Sequence, residues 1–286
     1  MSRREEILEK VKEIPSLPTS ATQVLHLLQN PDSSIQDITK AIEVDPGLTT
    51  DFLRLANSAY FAGPRQVATL QQAGVLFGTA RIQQLVLASA VFPLVSQPLK
   101  GYDLPPGDLM NHSLAVAIGA EQLAKALNIS APQFTFTAGL LHDVGKIILG
   151  TFVAVDVAPI VKLAFEEQIS FEKAEEAILG IDHAEVGAAL LEAWHIPEPI
   201  VDAVRYHHSP DDYKGGDNVV DLIHVADNLG IECGLGTGID GLNYRPSSKV
   251  VERLGLKTIV AEQVTCVMLS ELQQITSMNV ERGGGN

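Results

Sequence analysis

Apolar residues recur at helical spacing along most of the chain. In the stretch SIQDITKAIE, Ile35, Ile38 and Ile42 follow one another at intervals of three and four residues. Ser34 and Asp37 have the spacing of a capping box, a hydrogen-bonding pattern that begins many helices. Because similar periodicity extends to about residue 275, the sequence predicts an all-α fold.

Turn-forming residues divide this pattern into segments. Asp45-Pro46 opens a further helix, and breaks are predicted at residues 16–18, 30–32, 63–64, 78–79 and 104–107. The last of these, Leu104-Pro105-Pro106-Gly107, is the strongest. It predicts a boundary between an N-terminal helical half, residues 1–100, and a second helical half, residues 101–275. A tail over 276–286, which ends in ERGGGN, is expected to be disordered.

Beyond that boundary the sequence predicts helices at 107–127, 131–149, 153–168, 171–179, 182–194, 197–207, 217–233 and 256–275. Residues 147–157 are ambiguous, because their β-branched side chains and Gly150 would also permit a short strand. Length and context favour a helix there.

The composition is that of a globular chain with a strong acidic bias. The 286 residues are 46% hydrophobic and 19% charged, which provides enough apolar material for a sizeable core. The 35 acidic residues outnumber the 20 basic ones, so the formal net charge is −15, and no dense lysine or arginine cluster stands out. An unaided nucleic-acid-binding protein would show such a cluster, so direct binding to nucleic acid is not expected.

The sequence predicts a cytoplasmic protein without a membrane span. The start, MSRREEILEKVKEIP, alternates charged and aliphatic residues and lacks the apolar core of a signal peptide. Apolar runs elsewhere are interrupted before they reach the roughly 20 residues that a spanning helix needs. The two cysteines, Cys233 and Cys266, provide neither a disulfide framework nor metal-ligand spacing, so reduced, buried thiols are expected.

The stretch LLHDVGKIIL, residues 140–149, places His142, Asp143 and Lys146 in an otherwise apolar run. Unpaired buried charge is strongly disfavoured, so these groups must have partners elsewhere in the chain. A metal ion is one candidate partner for the aspartate.

Five segments carry seven residues of metal-ligand type, which are His112, His142, Asp143, His183, His207, His208 and Asp227. Each is weak evidence by itself, because a lone histidine on a helix is more often a hydrogen-bonded core residue. The combination is stronger. Neighbouring residues project roughly 100° apart on a helix, so Asp143 suits a carboxylate that bridges to a second metal while His142 binds the first. The His207-His208 pair would then face the second metal.

Lys146 lies one helical turn beyond His142 and Asp143, so its ammonium can share their face. Two partners for this charge are open. One is a phosphate bound to the metals, which would make Lys146 a phosphate contact in a catalytic or binding site. The other is a nearby carboxylate in a salt bridge.

The remaining polar candidates have simpler explanations. Asp108 has two interpretations. It either orients His112 or acts as an additional metal ligand. The favoured interpretation is a solvated carboxylate in the first turn of a helix. His224 lies three residues before Asp227 and is either an outer contact of the site or, as favoured, a buried neutral histidine. Asp182 is expected to cap a helix. No role is assigned to the other two histidines, His26 and His195.

Three stretches together resemble the HDOD family, the HD-related output domains of the HD superfamily of metal-dependent phosphohydrolases. They are IPSLPTSATQVLHLLQNPDSSIQDITKAIEVDPGLTTDFLRLANSAYF, LLHDVGK and DHAEVGAALLEAWHIPEPIVDAVRYHH, and the resemblance covers roughly residues 14–227. Among its more specific parts is LANSAYF, residues 55–61, where Asn57 and Ser58 are expected to hydrogen-bond at a helix junction. The resemblance implies an N-terminal bundle packed on an HD-like bundle, and a role in bacterial signalling.

The binuclear members of the superfamily imply how the ligands are divided. When the ligands of their motif are matched to this sequence, the resemblance implies two metal sites. One comprises His112, His142, Asp143 and Asp227, and the other comprises Asp143, His183, His207 and His208. Lys146 matches the lysine of their HDxGK motif. The chain departs from the HD-GYP cyclic-dinucleotide phosphodiesterases at HHSPDDYKGGD, which has neither the acidic residue after the paired histidines nor a Gly-Tyr-Pro element. Hydrolysis of cyclic-di-GMP is therefore not expected.

Three functions are consistent with these features. The favoured one is a signalling output module that carries two divalent transition metals. Iron or manganese is expected, since the ligands mix imidazole with carboxylate and include no thiolate. It would act on a signalling protein in trans or bind a phosphorylated small molecule. The second is a metal-dependent phosphohydrolase acting on a nucleotide or other phosphoester. The third is an all-α scaffold whose histidines and aspartates form a polar core without metal.

Overall fold

A computed structural model describes residues 1–14, 17–30, 32–62, 66–152, 157–236, 238–241 and 244–283. Throughout these ranges the chain is helical or irregular, and the only β-type pairing is an isolated bridge between Leu99 and Leu104. The predicted all-α fold is confirmed.

The helices of the first third are α1 (Arg3–Glu13), α2 (Thr19–Gln29), α3 (Ile35–Glu43), α4 (Pro46–Ala56), α5 (Ala59–Ala62) and α6 (Leu70–Val95), followed by a 3₁₀ turn at Lys100–Tyr102. The next are α7 (Asp108–Ala126), α8 (Thr135–Leu141), α9 (Gly145–Ile147), a π-helix at Ile148–Phe152, α10 (Ala158–Glu167), α11 (Phe171–Leu179) and α12 (His183–Ala193). The last are α13 (Glu198–Tyr206), α14 (Val219–Glu232), α15 (Ser248–Leu254) and α16 (Thr258–Gly283).

Side-chain caps begin several helices where the sequence predicts them. The Ser34–Asp37 capping box is formed at the start of α3. Asp45 caps α4 by accepting a hydrogen bond from the Leu48 backbone N–H at 3.0 Å. Asp182 caps α12 through the Glu185 N–H at 2.8 Å, so its carboxylate has the structural role expected of it.

Asn57 ends α4 and ties the chain beyond it to this helix. Its side-chain amide donates to the carbonyls of Leu53 at 2.8 Å and Val67 at 2.7 Å, and its Oδ1 accepts from the Val67 N–H at 2.7 Å. This is the junction role expected for Asn57, whereas the Ser58 hydroxyl is buried without a hydrogen-bond partner among the described residues.

Helix α6 is broken at Gly78, whose positive φ of 67° falls at the predicted break. Among the described helices it alone is long and apolar enough to cross a membrane, and half of its most apolar window is buried inside the protein. The predicted break at 63–64 lies outside the described residues, and those at 16–18 and 30–32 do so in part.

The chain divides into two compact units. The larger comprises Met1–Pro15 with Leu94–Met268, and the smaller Ser16–Pro93 with Leu269–Asn286. The units divide at residue 94, each gathers two stretches of the chain, and the predicted limits at residue 100 stay a prediction. Helix α1 groups with the larger unit because its buried residues, Ile7 and Val11, pack in that unit, where α1 contacts α12.

The core of the larger unit is built around α7, which is buried on almost every side and packs against α8 and α14. Helices α12 and α13 pack on each other, and α12 also contacts the short helix α9. The segment that carries the LLHDVGK motif therefore lies inside this bundle.

Residues 131–149 do not form the predicted continuous helix. Helix α8 ends at Leu141, and hydrogen bonds between residues three apart follow, from Val144 N–H to Leu141 O at 3.0 Å and from Lys146 N–H to Asp143 O at 3.0 Å. These tighter turns lead into α9 and then into the π-helix. Such interruptions of a regular α-helix are typical of functional segments. The strand alternative for 147–157 is excluded over Ile148–Phe152, whereas residues 153–156 lie outside the described part.

Two further predictions differ from the structure. Helix α15 lies in a region where no helix was predicted. Helix α16 continues to Gly283, so residues 276–283 of the expected disordered tail are helical, and the last three residues lie outside the described chain. The polar run before ERGGGN contains no proline and few strong helix breakers, so it extends the helix already formed.

Candidate metal centre

All seven residues of metal-ligand type meet in the interior of the larger unit. His112 lies in the second turn of α7, the His142-Asp143 pair follows α8, and His183 is the first residue of α12. The His207-His208 pair follows α13, and Asp227 lies on α14. The side chains of six are at most 2% exposed and that of His208 is 7% exposed.

One group of ligating atoms belongs to His112, His142 and Asp227. His112 Nε2 lies 3.0 Å from Asp227 Oδ1, and His142 Nε2 lies 3.6 Å from the same oxygen. Asp143 Oδ2 lies 3.5 Å from His112 Nε2 and 3.3 Å from His142 Nε2. Two imidazoles and two carboxylates therefore converge on one point.

A second group contains Asp143, His183, His207 and His208. Asp143 Oδ1 lies 3.3 Å from His183 Nε2 and 3.8 Å from His207 Nε2. The Nε2 atoms of His183 and His208 are 2.8 Å apart, close to the separation of about 3 Å between neighbouring ligands on one ion with bonds of about 2.1 Å. Asp143 therefore turns one oxygen toward each group.

Backbone carbonyls set the orientation of two histidines. The Nδ1 atoms of His142 and His207 lie 2.7 Å from the Gly139 carbonyl and 2.6 Å from the Val204 carbonyl. Because a carbonyl only accepts, each Nδ1 carries a proton, so each Nε2 faces the aspartates and presents its lone pair to them whenever the ring is neutral. Both Nε2 atoms are buried without a hydrogen-bond partner among the described residues. Lone pairs that face carboxylates require a proton or a cation between them.

Glu175 of α11 orients His183 in the same way. Its Oε2 accepts a hydrogen bond from His183 Nδ1 at 2.6 Å and another from the His183 backbone N–H at 3.0 Å. Its Oε1 accepts from the hydroxyl of Tyr102. This arrangement of carboxylate, histidine and candidate ligand fixes the ring so that Nε2 faces the site.

Lys146 is buried and lies between two carboxylates. Its Nζ is 2.7 Å from Asp143 Oδ2 and 2.6 Å from Asp240 Oδ2. Of the two partners considered for this ammonium, the structure has the salt bridge. The carboxylates overcome the effect of burial and raise the pKa of Lys146, so it is charged.

Protonation in the site follows from burial and from these charges. Burial disfavours the charged form of His142, but the nearby Asp143 and Asp227 outweigh it and raise its pKa to about 9. Burial and the charge on His142 lower the pKa of His207 to about 3. Asp143 has a pKa well below its usual value, because His142 and Lys146 outweigh the effect of its burial. A cation at the centre would interact with the same carboxylates as this proton does.

The charge balance and the donor set fit divalent metal ions. Among the described residues, four buried carboxylates contact the histidines of the site or Lys146, and Lys146 is the one buried ammonium beside them. These carboxylates belong to Asp143, Asp227, Asp240 and Glu175. Imidazole nitrogens and carboxylate oxygens without thiolates are ligands that suit iron, manganese or zinc. The interior can therefore hold cations that polarise an oxygen-rich ligand.

The other sequence candidates lie apart from the convergence. Asp108 is the first residue of α7, where its carboxylate suits the helix N-terminus. His224 is buried, donates from Nδ1 to the His207 carbonyl at 2.7 Å, and accepts at Nε2 from the Ser247 N–H. Burial lowers the pKa of His224, so it is the neutral core histidine expected, and it also holds the backbone of His207. His26 and His195 are exposed, and so are Cys233 and Cys266, which corrects the prediction of buried thiols.

Sequence reasoning missed Glu175, Tyr102 and Asp240. A signal for Glu175 was present, because Phe171, Glu175 and Leu179 share one face of α11 at four-residue spacing, and a glutamate on an apolar stripe requires a partner. Asp240 lies in an irregular segment without periodicity, so the sequence gives no comparable signal for it.

The HDOD domain family model matches residues 14–210, more than half of the chain. The chain belongs to the HDOD family. The match includes the LANSAYF and LLHDVGK segments and the paired histidines, but it ends before Asp227 and Asp240. The family assignment made from the sequence is confirmed.

Proteins similar to this HDOD chain include one relative known by its sequence and two of solved structure. An uncharacterized protein of Treponema pallidum (strain Nichols) is 28% identical over 213 residues, which is 73% of this chain and 41% of that protein. The chain thus spans about two fifths of this curated relative. A Geobacter sulfurreducens HDOD domain protein of unknown function is 26% identical, with a TM-score of 0.70 over 96% of this chain and 94% of that one. A Shewanella amazonensis SB2B protein, provisionally described as a phosphohydrolase, is 26% identical, with a TM-score of 0.73 over 94% and 96% of the two chains.

Proposed function

We propose that this HDOD protein is a bacterial signal-transduction module whose larger unit holds two divalent metal ions, and that it acts by binding a protein or a phosphorylated ligand. The observation that supports this proposal most directly is the orientation of the Asp143 carboxylate. It turns one oxygen toward each of two groups of buried ligating atoms. Bridging carboxylates are the usual link between paired metals in helical bundles.

One metal is assigned to His112, His142, Asp143 and Asp227, and the other to Asp143, His183, His207 and His208. Iron or manganese is the proposed metal, because both accept mixed imidazole and carboxylate ligands. When bound, such ions supply positive charge that polarises phosphate oxygens. The backbone carbonyls and Glu175 keep the imidazoles turned inward, so this chain's own residues preorganise the site.

Binding rather than turnover is proposed as the main activity. The ligating groups are buried, and Lys146 is paired with two carboxylates, whereas a catalytic site needs a placed nucleophile and an open path. A signalling protein that meets this chain in trans is the proposed macromolecular partner, and the cytoplasm is the proposed location.

Phosphohydrolase activity is the second candidate, because the Shewanella amazonensis protein is provisionally described as one. We expect no meaningful hydrolysis of cyclic-di-GMP by the metal-loaded protein, since HHSPDDYKGGD lacks the Gly-Tyr-Pro element. The assay is a chromatographic time course with cyclic-di-GMP and a panel of nucleotides, and Asp143→Ala is the blank. If the metal-loaded protein consumes cyclic-di-GMP and Asp143→Ala does not, phosphohydrolase activity becomes the favoured function. Binding without consumption supports the signalling module.

Glu175→Gln is expected to weaken metal binding by about 10- to 100-fold, the usual effect of removing a carboxylate that orients a ligand. The amide keeps the size of the side chain but presents a weaker acceptor to His183 Nδ1. Competition with a metal indicator would measure the change. Glu176→Gln is the matched control, because Glu176 is the next residue on α11 and is exposed. Equal metal affinity in both variants would refute the role of Glu175.

A further inference from the structure

Among the described residues, Asp240 is the one carboxylate in contact with Lys146 that does not belong to the candidate metal ligands. Its Oδ2 lies 2.6 Å from Lys146 Nζ, slightly closer than Asp143 does at 2.7 Å. Both Asp240 and Lys146 are at most 5% exposed. The family match ends thirty residues earlier, at 210, so Asp240 reaches the HDxGK lysine from a part of the chain outside it.

A specific backbone contact holds Asp240 in place. The N–H of Ile239 donates to the Tyr102 carbonyl at 3.1 Å. A Cβ on the neighbouring Gly238 would lie only 1.9 Å from the same carbonyl oxygen, so this approach requires glycine. The hydroxyl of Tyr102 in turn donates to Glu175, which orients His183. Asp240 is thus anchored to the same residues that support the candidate metal centre.

The Asp240 carboxylate is incompletely satisfied. Its Oδ1 is buried and has no hydrogen-bond partner among the described residues, whereas buried carboxylate oxygens with a purely structural role are normally paired. Lys146 also faces Asp143 Oδ2, the oxygen that contacts His112 and His142. An oxyanion at the position of Asp240 would therefore touch an ammonium beside the metal group.

We propose that Lys146 forms an oxyanion site for a phosphate group, and that Asp240 occupies this site as an internal substitute. Carboxylate and phosphate oxygens make the same charge-assisted hydrogen bonds to an ammonium, so the two compete for Lys146. This proposal deepens the proposed function, on which it rests, by naming the ligand chemistry and a residue that restrains its binding. A phosphorylated ligand must displace Asp240 to reach Lys146.

Binding of inorganic phosphate to the metal-loaded full chain tests this proposal. Equilibrium dialysis with ³²P-labelled phosphate would compare the unchanged protein with Asp240→Asn, which keeps the size of the side chain and removes its charge. Asp240→Asn is expected to bind phosphate about tenfold more tightly. Asp221→Asn, the control, removes another buried carboxylate, one paired with Arg253, and is expected to leave phosphate affinity unchanged.

The double variant Lys146→Gln with Asp240→Asn shows whether the gain acts through the ammonium. The double variant is expected to lose the whole gain in phosphate affinity that Asp240→Asn alone gives. Equal affinity in Asp240→Asn and the unchanged protein, or a gain that persists without Lys146, overturns the proposal and leaves Asp240 a structural salt-bridge partner. Asp240→Ser is the replacement if the asparagine variant does not fold, with the same expected gain and the same contrary result.

Metal content, measured on the same samples, separates this proposal from the proposed function. If the protein holds no metal and Asp240→Asn still increases phosphate affinity in a way that requires Lys146, the result supports the oxyanion site and contradicts the metal assignment. Metal-loaded protein in which Asp240→Asn gives no gain contradicts the oxyanion site alone.

Discussion

Asp143→Ala is expected to remove most of the bound metal and to lower the free energy of unfolding by about 3 kcal/mol. The change deletes the carboxylate that faces both groups of histidines, at 3.3 Å from His142 and 3.3 Å from His183. It also leaves the buried Lys146 with Asp240 as its one carboxylate partner among the described residues. Metal analysis and urea denaturation of the same preparation would measure both effects.

His195→Ala is the control for this substitution. His195 is exposed and lies apart from the site, so the variant is expected to keep its metal. Because His195 has a positive φ of 57°, a conformation unfavourable for alanine, a small loss of stability is expected without loss of metal. If both variants retain equal metal, the ligand assignment is contradicted even though the family membership stands.

Gly145→Ala is expected to prevent close packing of α9 on α12 and to cost more than about 3 kcal/mol of stability. A Cβ at this position would lie 1.9 Å from the His183 carbonyl oxygen and 2.6 Å from the Gly187 nitrogen. Both are backbone atoms, so neither can be relieved by a change of rotamer. Separating α9 from α12 also draws Asp143 and Lys146 away from His183, so metal content should fall as well.

Gly216→Ala is the matched control, because a Cβ there meets no atom within 4 Å. It is expected to leave both the denaturation midpoint and the metal content unchanged. A Gly145→Ala protein as stable as this control would show that the contact between α9 and α12 is looser than described, and that Asp143 is not held by it.

Local sequence signals predicted much of the fold. Helix α11 lies at Phe171–Leu179, as predicted, because its apolar spacing is regular and Gly180 ends it in the left-handed conformation. Helix α7 also lies within one residue of its predicted bounds. The continuous helix over 131–149 was wrong, because periodicity cannot distinguish an α-helix from the tighter and wider turns that follow Leu141.

The convergence of the seven polar residues follows from their chemistry, since each is too costly to bury alone. Their order along the chain, with the resemblance to binuclear proteins, led to the division into two groups that Asp143 joins in the structure. Asp240 could not be predicted, because its contact with Lys146 joins residues nearly a hundred positions apart and depends on an irregular segment. Such contacts are set by tertiary packing rather than by local pattern.

The metal content of protein purified without chelator tests the central claim most directly. An untagged preparation avoids zinc or nickel acquired from an affinity resin, and elemental analysis gives the number of ions per chain. We expect about two transition-metal ions per chain, iron or manganese, either as purified or after anaerobic reconstitution. A protein that holds no metal after reconstitution would contradict the binuclear assignment and favour a polar core in which these histidines and aspartates pair with one another.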